Sequence, residues 1–445
     1  MGFVEKILTG SHESGGTHFG ARPFLIAGAV MLFAFLVIAP KQFFQNFGFV
    51  IFIAPLWLPI MLVSFAFYRW VEFRRADFIK GQKHVLLELK LPRDTMKTPL
   101  AMETIFSNLH IGSGESNWYK KFIKGGVRPW WALEIASLGG QVRFFAWTRA
   151  SFRRGFESYF YAQYPGIEII EAEDYSRLVD PTSHDYDMFG AEYSKKDPDP
   201  IPIKLYHEYG LDRPGQKPEE LIDPLSQLVE FMGSIGPKEQ LWFQMVFRMT
   251  KKEKFGGEKD WKKVGQEIVE ATRQSTVKKR TQIDPVTGQV RELEGFPNPT
   301  KGQMEGMFSI ESNLNRPGFD VGFRAIYSAP KDVYQGSMIS LMLAMLKPFS
   351  AEGGNGFKPL SLFSAKFSDY PWEDRDGHHQ HKEKVDILEY YRRRAYFHTP
   401  YIGPWSILSN AELATIFHIP TSTIETPSLP RIQSATSGAP SNLPT

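Results

Sequence analysis

Apolar residues near the N-terminus form two uncharged runs, at residues 23–39 and at residues 47–68. A helix needs about 20 apolar residues to cross a bilayer, with about 17 as the lower limit. Because only residues 40–46 separate the runs, they predict a transmembrane hairpin of two helices after an N-terminal segment at residues 1–22. Two other interpretations remain open: a cleaved signal peptide followed by a single anchor, or an apolar hairpin buried inside a globular fold.

Basic residues are distributed unevenly around these runs. The connecting loop contains only Lys41, whereas several basic residues follow the second run. The positive-inside rule places the more basic flanks in the cytoplasm. The sequence therefore predicts a multi-pass protein of the inner (cytoplasmic) membrane, with both termini and the bulk of the chain cytoplasmic. The flanking basic residues are Lys6, Arg22, Arg69, Arg74, Arg75, Lys80 and Lys83.

Residues 69–180 alternate between strand-like and helix-like patterns. A helix that opens at Pro99 follows the first strand pattern, and a helix over residues 151–164 precedes the last one. The resulting order β-α-β-β-α-β predicts a ferredoxin-like domain. The strand patterns, which have a period of two, occupy residues 83–91, 130–137, 141–148 and 167–172.

Residues 181–419 repeat this order more loosely and predict a second α+β domain, so the fold class is α+β. The repeat is interrupted by an insertion that contains a helical pattern at residues 261–274. Residues 420–445 are rich in proline and serine and predict a linker or docking tail. The other predicted elements are strands at 203–209, 239–249, 319–327 and 356–363, and helices at 222–233 and 334–346.

Composition and motifs argue against an enzyme. The chain has 445 residues, 52 basic and 49 acidic side chains and no cysteine, which excludes disulfides, thiolate metal sites and a cysteine nucleophile. No GxxxxGK[ST] string is present to cradle a nucleotide phosphate. The cluster His378, His379 and His381 has metal-binding residue types, but its charged neighbours favour a solvated loop. We therefore predict no catalytic residue, no cofactor and no metal.

One stretch of the chain is strongly basic and also rich in aromatic residues. Between residues 117 and 154 the only acidic residue is Glu134. A sheet that carries aromatic side chains beside cations is typical of single-stranded nucleic-acid binding. Alternatively, the aromatic residues fill a core and the cations face anionic lipid or only solvent. The candidate contact residues are Lys120, Lys121, Lys124, Arg128, Arg143, Arg149, Arg153 and Arg154.

Several longer strings resemble the N-terminal, non-ATPase region of a bacterial family of membrane-anchored type IV secretion proteins, which are similar to conjugative coupling proteins. They include LELKLPRDTMKTPLAMETIFSNLH at residues 87–110, WALEIASLGGQVRFFAWT at 131–148 and YAQYPGIEIIEAEDY at 161–175. Further strings occur at residues 239–248, 355–360 and 410–431. In longer members of the family, this region leads into a P-loop motor, for which the present chain has no equivalent.

The resemblance implies a secretion or DNA-transfer setting and carries over no catalytic residue. It leads us to expect a non-enzymatic inner-membrane component that anchors or docks a P-loop motor supplied by another chain. Expected partners are the membrane, a P-loop ATPase, other secretion components and further copies of the chain. The alternative is a membrane-tethered protein that binds single-stranded DNA or another single-stranded nucleic acid.

Overall fold

The computed structural model of this protein describes residues 36–42, 48, 52, 54–92, 97–180, 185–213, 222–251, 260–283, 290–363, 377–420 and 431–432. These residues form two compact units. Unit 1 contains the described residues before Ile79 together with Asn117–Gly126, and unit 2 contains the rest.

The helices and strands are numbered in chain order. The helices are α1 (Ala54–Lys80), α2 (Leu100–Leu109), α3 (Arg153–Gln163), α4 (Pro224–Gly233), α5 (Trp261–Ser275), α6 (Lys301–Leu314), α7 (Ser337–Ala344), α8 (His378–Arg392) and α9 (Asn410–Ile416). The strands are β1 (His84–Pro92), β2 (Trp130–Leu138), β3 (Gln141–Arg149), β4 (Glu168–Glu171), β5 (Tyr186–Lys195), β6 (Gln240–Met249), β7 (Val277–Ile283), β8 (Val290–Pro297), β9 (Gly318–Pro330), β10 (Phe357–Phe363), β11 (Phe397–His398), β12 (Tyr401–Ile402), β13 (Ser406–Ser409) and β14 (Arg431–Ile432).

Unit 1 contains most of α1 and a π-helical turn at Tyr119–Ile123. The rings of Phe67 and Phe122 lie 5.7 Å apart, and Arg74 Nε donates a hydrogen bond to the Ile123 carbonyl oxygen at 2.9 Å. Gly125 has a positive φ of 66°, and a Cβ atom there would overlap the backbone of Arg74. A glycine is therefore required where the turn meets the helix.

The predicted transmembrane hairpin, and with it the multi-pass inner-membrane location, is wrong. Within the described ranges, no helix is long and apolar enough to cross a membrane. In α1 the uncharged residues end at Tyr68, because Arg69, Glu72 and Arg74 follow. From Ala54 to Tyr68 the helix rises roughly 22 Å, less than the ~30 Å of a bilayer core. Residues 1–35, with most of the first apolar run, lie outside the described residues.

Unit 2 is organised around one large, mostly antiparallel sheet, so the α+β part of the fold prediction agrees with the structure. Its strand order is β10-β5-β9-β6-β2-β3-β1-β14, with β13 paired to β9 and β4 paired to β1. The first half of the sheet follows the chain order β1-α2-β2-β3-α3-β4 and has the spatial order β4-β1-β3-β2. This is the arrangement of a split βαβ motif.

The second half of the sheet repeats this arrangement. Its chain order is β5-α4-β6-β9-α7-β10 and its spatial order is β10-β5-β9-β6. The two halves join along β2 and β6, which pair in antiparallel register from Trp130 opposite Arg248 to Leu138 opposite Gln240. The two predicted domains are therefore halves of a single sheet in unit 2.

The repeat differs from the prediction at its first strand. Residues 203–209 form no strand, and β5 opens the second half instead. Backbone groups in the mispredicted segment bond to side chains rather than to a strand: Ile203 N–H donates to Glu412 Oε1, and Tyr206 N–H donates to Thr415 Oγ1. Burial of Ile203 and Tyr206 therefore produced a strand-like pattern without strand pairing.

The insertion between β6 and β9 forms an arm, defined here as residues 261–314. Helices α5 and α6 pack against each other, and β7 and β8 between them form a separate two-stranded sheet. Trp261 and Val269 on α5 share a small apolar cluster with Ile310 and Leu314 on α6.

The two faces of the large sheet differ in chemistry. The apolar face packs against helices through the main hydrophobic core, which includes Phe106 on α2, Phe156 on α3, Leu228 on α4, Met342 on α7 and Leu413 on α9. On the opposite face, called here the polar face, charged side chains are buried beneath α8 and the residues that follow it.

Of the predicted tail, the structure describes residue 420 and β14, which pairs in parallel with the end of β1.

Candidate functional site

Four polar side chains form a row across the middle of the polar face. Glu134 on β2 lies opposite Gln244 on β6, Gln244 opposite Arg324 on β9, and Arg324 opposite Glu192 on β5. All four are fully buried. Because residues in direct register on neighbouring strands point to the same face, the pairing of the strands brings these side chains together. They are called the polar row below.

The members of the polar row bond to one another. Gln244 Nε2 donates to Glu134 Oε1 at 2.9 Å, and Arg324 Nη1 donates to Gln244 Oε1 at 3.4 Å. Arg324 Nη2 and Nε both donate to Glu192 Oε1, at 2.8 and 3.1 Å. Within the row, Arg324 neutralises Glu192 and Gln244 bonds the carboxylate of Glu134, as buried polar groups require partners.

Arg394 completes the network from the end of α8. Its Nε and Nη2 donate to the two carboxylate oxygens of Glu134 at 2.9 and 3.0 Å, and Nη1 donates to Asp174. Burial alone would lower the pKa of Arg394, but the carboxylates of Glu134 and Asp174 outweigh burial and raise it above its usual value. Arg394 is therefore a permanent cation that anchors the end of α8 to β2.

The backbone at Arg394 explains how the side chain reaches the sheet. Arg394 has a positive φ of 48°, its N–H donates to the Tyr391 carbonyl, and the N–H of Ala395 donates to the Tyr390 carbonyl. This pair of bonds is the Schellman motif that commonly ends a helix, in which glycine is the usual residue with positive φ. An arginine there costs roughly 1–2 kcal/mol of backbone strain, which its ion pairs offset.

Tyrosines also donate hydrogen bonds to the carboxylates of the polar row. Tyr175 OH donates to Glu134 Oε2 at 2.8 Å and lies 2.6 Å from Tyr391 OH, and Tyr401 OH donates to Glu192. Burial, followed by the charge of Glu134, raises the pKa of Tyr175 well above its usual value. These groups hold α8 and the covering segment, defined as residues 394–405, against the sheet, and this arrangement is that of a structural network.

An open cleft of about 770 Å³ lies beside this network, on the polar face between β1, β3, β4 and the turn after β4. Glu88 on β1 and Arg143 on the neighbouring strand β3 lie side by side in its lining, with 3.9 Å between Oε1 and Nη1. Tyr175 and Asp174 also line it, which connects the cleft to the buried network. Further charged lining residues are Glu171, Glu173 and Arg177.

His84 forms one wall of the cleft. Its ring stacks on Trp147, with 4.2 Å between the centroids and 7° between the planes. Burial first, and then the charge of Arg149, lowers the pKa of His84 to about 4. The imidazole is therefore neutral near pH 7, and it contributes a flat aromatic surface rather than a cation.

The structure separates the eight predicted contact residues into three groups. Lys120, Lys121 and Lys124 lie on the π-helical turn of unit 1. Arg128 and Arg149 are buried in unit 2, where Arg128 pairs with Glu115 and Asp320 and Arg149 lies over the Trp130 ring. The remaining three lie at or near the surface of unit 2: Arg143 in the cleft, Arg153 paired with Glu157 and Glu171, and Arg154 exposed.

The aromatic residues of the same stretch are also divided. Trp118 and Tyr119 on the turn are more than half exposed. The others are buried and therefore offer no stacking platform on the sheet, as the core-filling alternative anticipated. They are Trp130, Trp131, Phe144, Phe145 and Trp147.

The histidine cluster opens α8 and does not form a loop. His378 is the first helical residue, and Gly377 precedes it with a positive φ of 70°. Among the residues that the structure describes, no group of three or more His, Asp or Glu side chains has a metal-binding arrangement. Asp374 and Asp376, which precede this cluster in the sequence and carry oxygen ligands, lie outside the described residues.

Sequence analysis missed the buried network, although part of it was visible. Gln244 and Arg324 each lie mid-strand with apolar residues on both sides, in QLWFQMVFRM and GFDVGFRAIYSAP. A lone polar residue inside a buried strand needs a partner, and this requirement points to a polar row. Arg394 gave no such indication, because its position depends on how α8 ends.

Comparison with known proteins adds no assignment to these observations. No protein-family model matches this chain, and no curated protein matches it either. The similarity to type IV secretion proteins therefore stays a prediction that rests on the quoted strings.

Proposed function

We propose that this protein is a non-enzymatic component of a secretion or DNA-transfer apparatus, and that its cleft docks a segment of a P-loop motor carried by another chain. One observation supports this most directly. Three of the strings that carry the resemblance line the cleft: residues 87–110 contribute Glu88, residues 131–148 contribute Arg143, and residues 161–175 contribute Glu171 and Glu173.

The charges of the cleft favour a protein segment over a nucleic acid. Four carboxylates and the guanidinium groups of Arg143 and Arg177 line it, and two of the carboxylates, Asp174 and Glu171, are already paired with Arg394 and Arg153. Both signs of charge therefore reach the cleft. A protein segment with acidic and basic side chains would find partners for both, whereas a phosphate backbone carries only one sign. The His84 ring, which stacks on the buried Trp147, adds apolar contact area beside these charges.

The buried network favours a scaffold over a catalyst. A reactive group needs access to a substrate, but Glu134, Arg324 and Glu192 are fully buried and bonded to one another. Such a network fixes the position of the covering segment and of the turn that walls the cleft. The chain is therefore suited to present a rigid docking surface.

Among the described residues, the turn of unit 1 is the place that favours the nucleic-acid alternative. There the exposed cations Lys120 and Lys124 lie beside exposed Trp118 and Tyr119, with Lys124 Nζ 5.7 Å from the Tyr119 ring centroid. Exposed cations and aromatic rings in one turn are the elements that bind single strands. This turn provides a matched control for the cleft.

Binding measurements with two charge-reversal variants test the proposal. The first probe is a purified P-loop motor domain of the type IV secretion family that the quoted strings resemble, and the second probe is a labelled single-stranded oligonucleotide. We expect Glu171→Lys with Glu173→Lys to weaken motor binding at least about tenfold. Lys120→Glu with Lys124→Glu should leave motor binding unchanged.

Three outcomes would contradict the proposal. The motor could bind both variants equally, or the purified chain could hydrolyse ATP without a partner. Oligonucleotide binding that only the lysine variant weakens, with a reduced salt dependence and no measurable motor binding, would favour the nucleic-acid function.

A further inference from the structure

The arm carries a small sheet that is incomplete by itself. Strands β7 and β8 pair with each other, from Val277 opposite Pro297 to Ile283 opposite Val290, and with no other described strand. Two strands alone are marginally stable in water, and three or more with an apolar face are usually needed. Each outer edge of this hairpin therefore has backbone groups available for another strand.

Three apolar side chains of the arm are exposed to solvent. Phe296 at the end of β8 is 94% exposed, and Phe308 on α6 is 73% exposed. Met304 lies one turn before Phe308 and is half exposed, so the two share a face of α6. The buried cluster of the arm includes Val269 and Ile310 but none of these three residues.

The two strands of the hairpin have opposite charge in the sequence. Strand β7 contains Lys278, Lys279 and Arg280 and no acidic residue, whereas β8 contains Glu292 and Glu294 and a single basic residue, Arg291. The β7 edge of one chain is thus complementary to the β8 edge of an identical chain. Pairing β7 with β7, or β8 with β8, would place like charges opposite each other.

We propose that the arm is a self-association surface, in which β7 of one copy pairs with β8 of the next and the exposed aromatic residues of the arm are covered. The contact is head-to-tail, because two different edges meet, and repetition of such contacts builds a ring or an open chain of copies. This inference is independent of the docking function of the cleft. It assigns the arm to contacts between copies of this chain.

Complementary charge variants of the full chain provide a sharp test. The first variant, Lys279→Glu with Arg280→Glu, makes both strands acidic, and the second, Glu292→Lys with Glu294→Lys, makes both strands basic. Sedimentation velocity across about 1 to about 100 μM should show concentration-dependent association of the unaltered chain. Each variant alone should associate at least about tenfold more weakly, and an equimolar mixture should recover association.

A second pair of variants tests the apolar part of the surface. Phe296→Asp with Phe308→Asp should weaken association, whereas Leu341→Asp, at a residue of α7 that is 52% exposed, should leave it unchanged. Amide hydrogen exchange of β7 and β8 checks that the hairpin still forms in every variant. The proposal is overturned if the unaltered chain remains monomeric throughout the series. It is also overturned if variants with an intact hairpin associate normally, or if the mixture fails to recover.

Discussion

At the scale of single residues, Arg324 and Glu192 show what a buried ion pair contributes. Both side chains are fully buried, with 2.8 Å between Nη2 and Oε1. Removing one partner leaves an uncompensated charge, which costs about 3–5 kcal/mol. We therefore expect Arg324→Met to lower the free energy of unfolding of unit 2 by this amount in urea titrations. Adding Glu192→Gln, which keeps an acceptor for Tyr401, should recover part of the loss, and purely additive losses would contradict this interpretation.

His418 should make stability depend on pH. It is buried, and its two ring nitrogens lie 3.1 Å from Asp223 Oδ2 and 3.0 Å from the Ala414 carbonyl oxygen. Burial acts to lower the pKa of His418, but the charge of Asp223 and the hydrogen bonds outweigh it and raise the pKa above 6.5. The stabilisation is then fully present below about pH 6.5 and is lost as pH rises through the raised value.

The corresponding measurement compares unfolding midpoints of the unaltered chain and His418→Gln between about pH 6.5 and 9. The difference between the two proteins should shrink as pH rises. His84, whose pKa is lowered to about 4 in the folded protein, does not interfere, because it contributes equally in the two proteins that are compared. A difference that stays constant with pH would show that His418 is neutral in the folded protein.

At the scale of elements, glycines on the polar face allow the covering segment to approach the sheet. Gly322 on β9 lies directly beneath Tyr396, and a Cβ atom at this position would overlap the tyrosine ring. The ring is buried and rigid, so Gly322→Ala should displace the covering segment and cost about 1–3 kcal/mol. Hydrogen exchange should increase in residues 394–405 and at the end of α8.

Two glycines of α6 provide the control for this change. No atom lies within 4 Å of a Cβ atom built at Gly302 or Gly306, and both are helical. Gly306→Ala should therefore be neutral or stabilise the helix by up to about 1 kcal/mol. If Gly322→Ala changes stability and hydrogen exchange no more than Gly306→Ala does, then close packing on Gly322 does not hold the covering segment in place.

The period of two in the sequence predicted the central strands well, because these strands are long and bury at least one face. The predicted strands at residues 130–137, 141–148 and 239–249 correspond to β2, β3 and β6. Strand β5 was missed, because Gly190 and the polar residues Asp187, Glu192 and Ser194 interrupt its apolar pattern. The β7–β8 hairpin was not predicted either, since its lysines and glutamates conceal any alternation.

The candidate site was harder to predict than the fold, because it depends on pairing between distant strands. Arg128 and Arg149 resembled surface cations in the sequence, but the structure buries them beside Asp320 and Trp130. No local pattern distinguishes an arginine in a buried ion pair from one in solvent. The partners of Arg394, Glu134 and Asp174, lie far from it in the sequence, and only folding of the chain brings the three side chains together.

At the scale of the molecule, the two repeated halves of unit 2 should fold as one cooperative body. The β2–β6 seam pairs the halves backbone to backbone, and the polar row continues across it from Glu134 to Gln244. The C-terminal segment adds a second connection, because Phe417 packs against Phe144 of the first half, with 5.7 Å between ring centroids. Separation of the halves would expose the β2 edge and part of the common core.

A chain cut between the halves tests this expectation. A protease site inserted between Thr182 and Ser183 would allow the folded protein to be cleaved without removing any described strand. We expect the two pieces to remain associated in non-denaturing buffer and to unfold in one transition, because neither half can bury its seam alone. When expressed separately, each piece should lack cooperative unfolding, and mixing them should restore it. Cooperative unfolding of either piece by itself would show that the halves are independent domains, and the seam would then be an interface between them rather than part of one core.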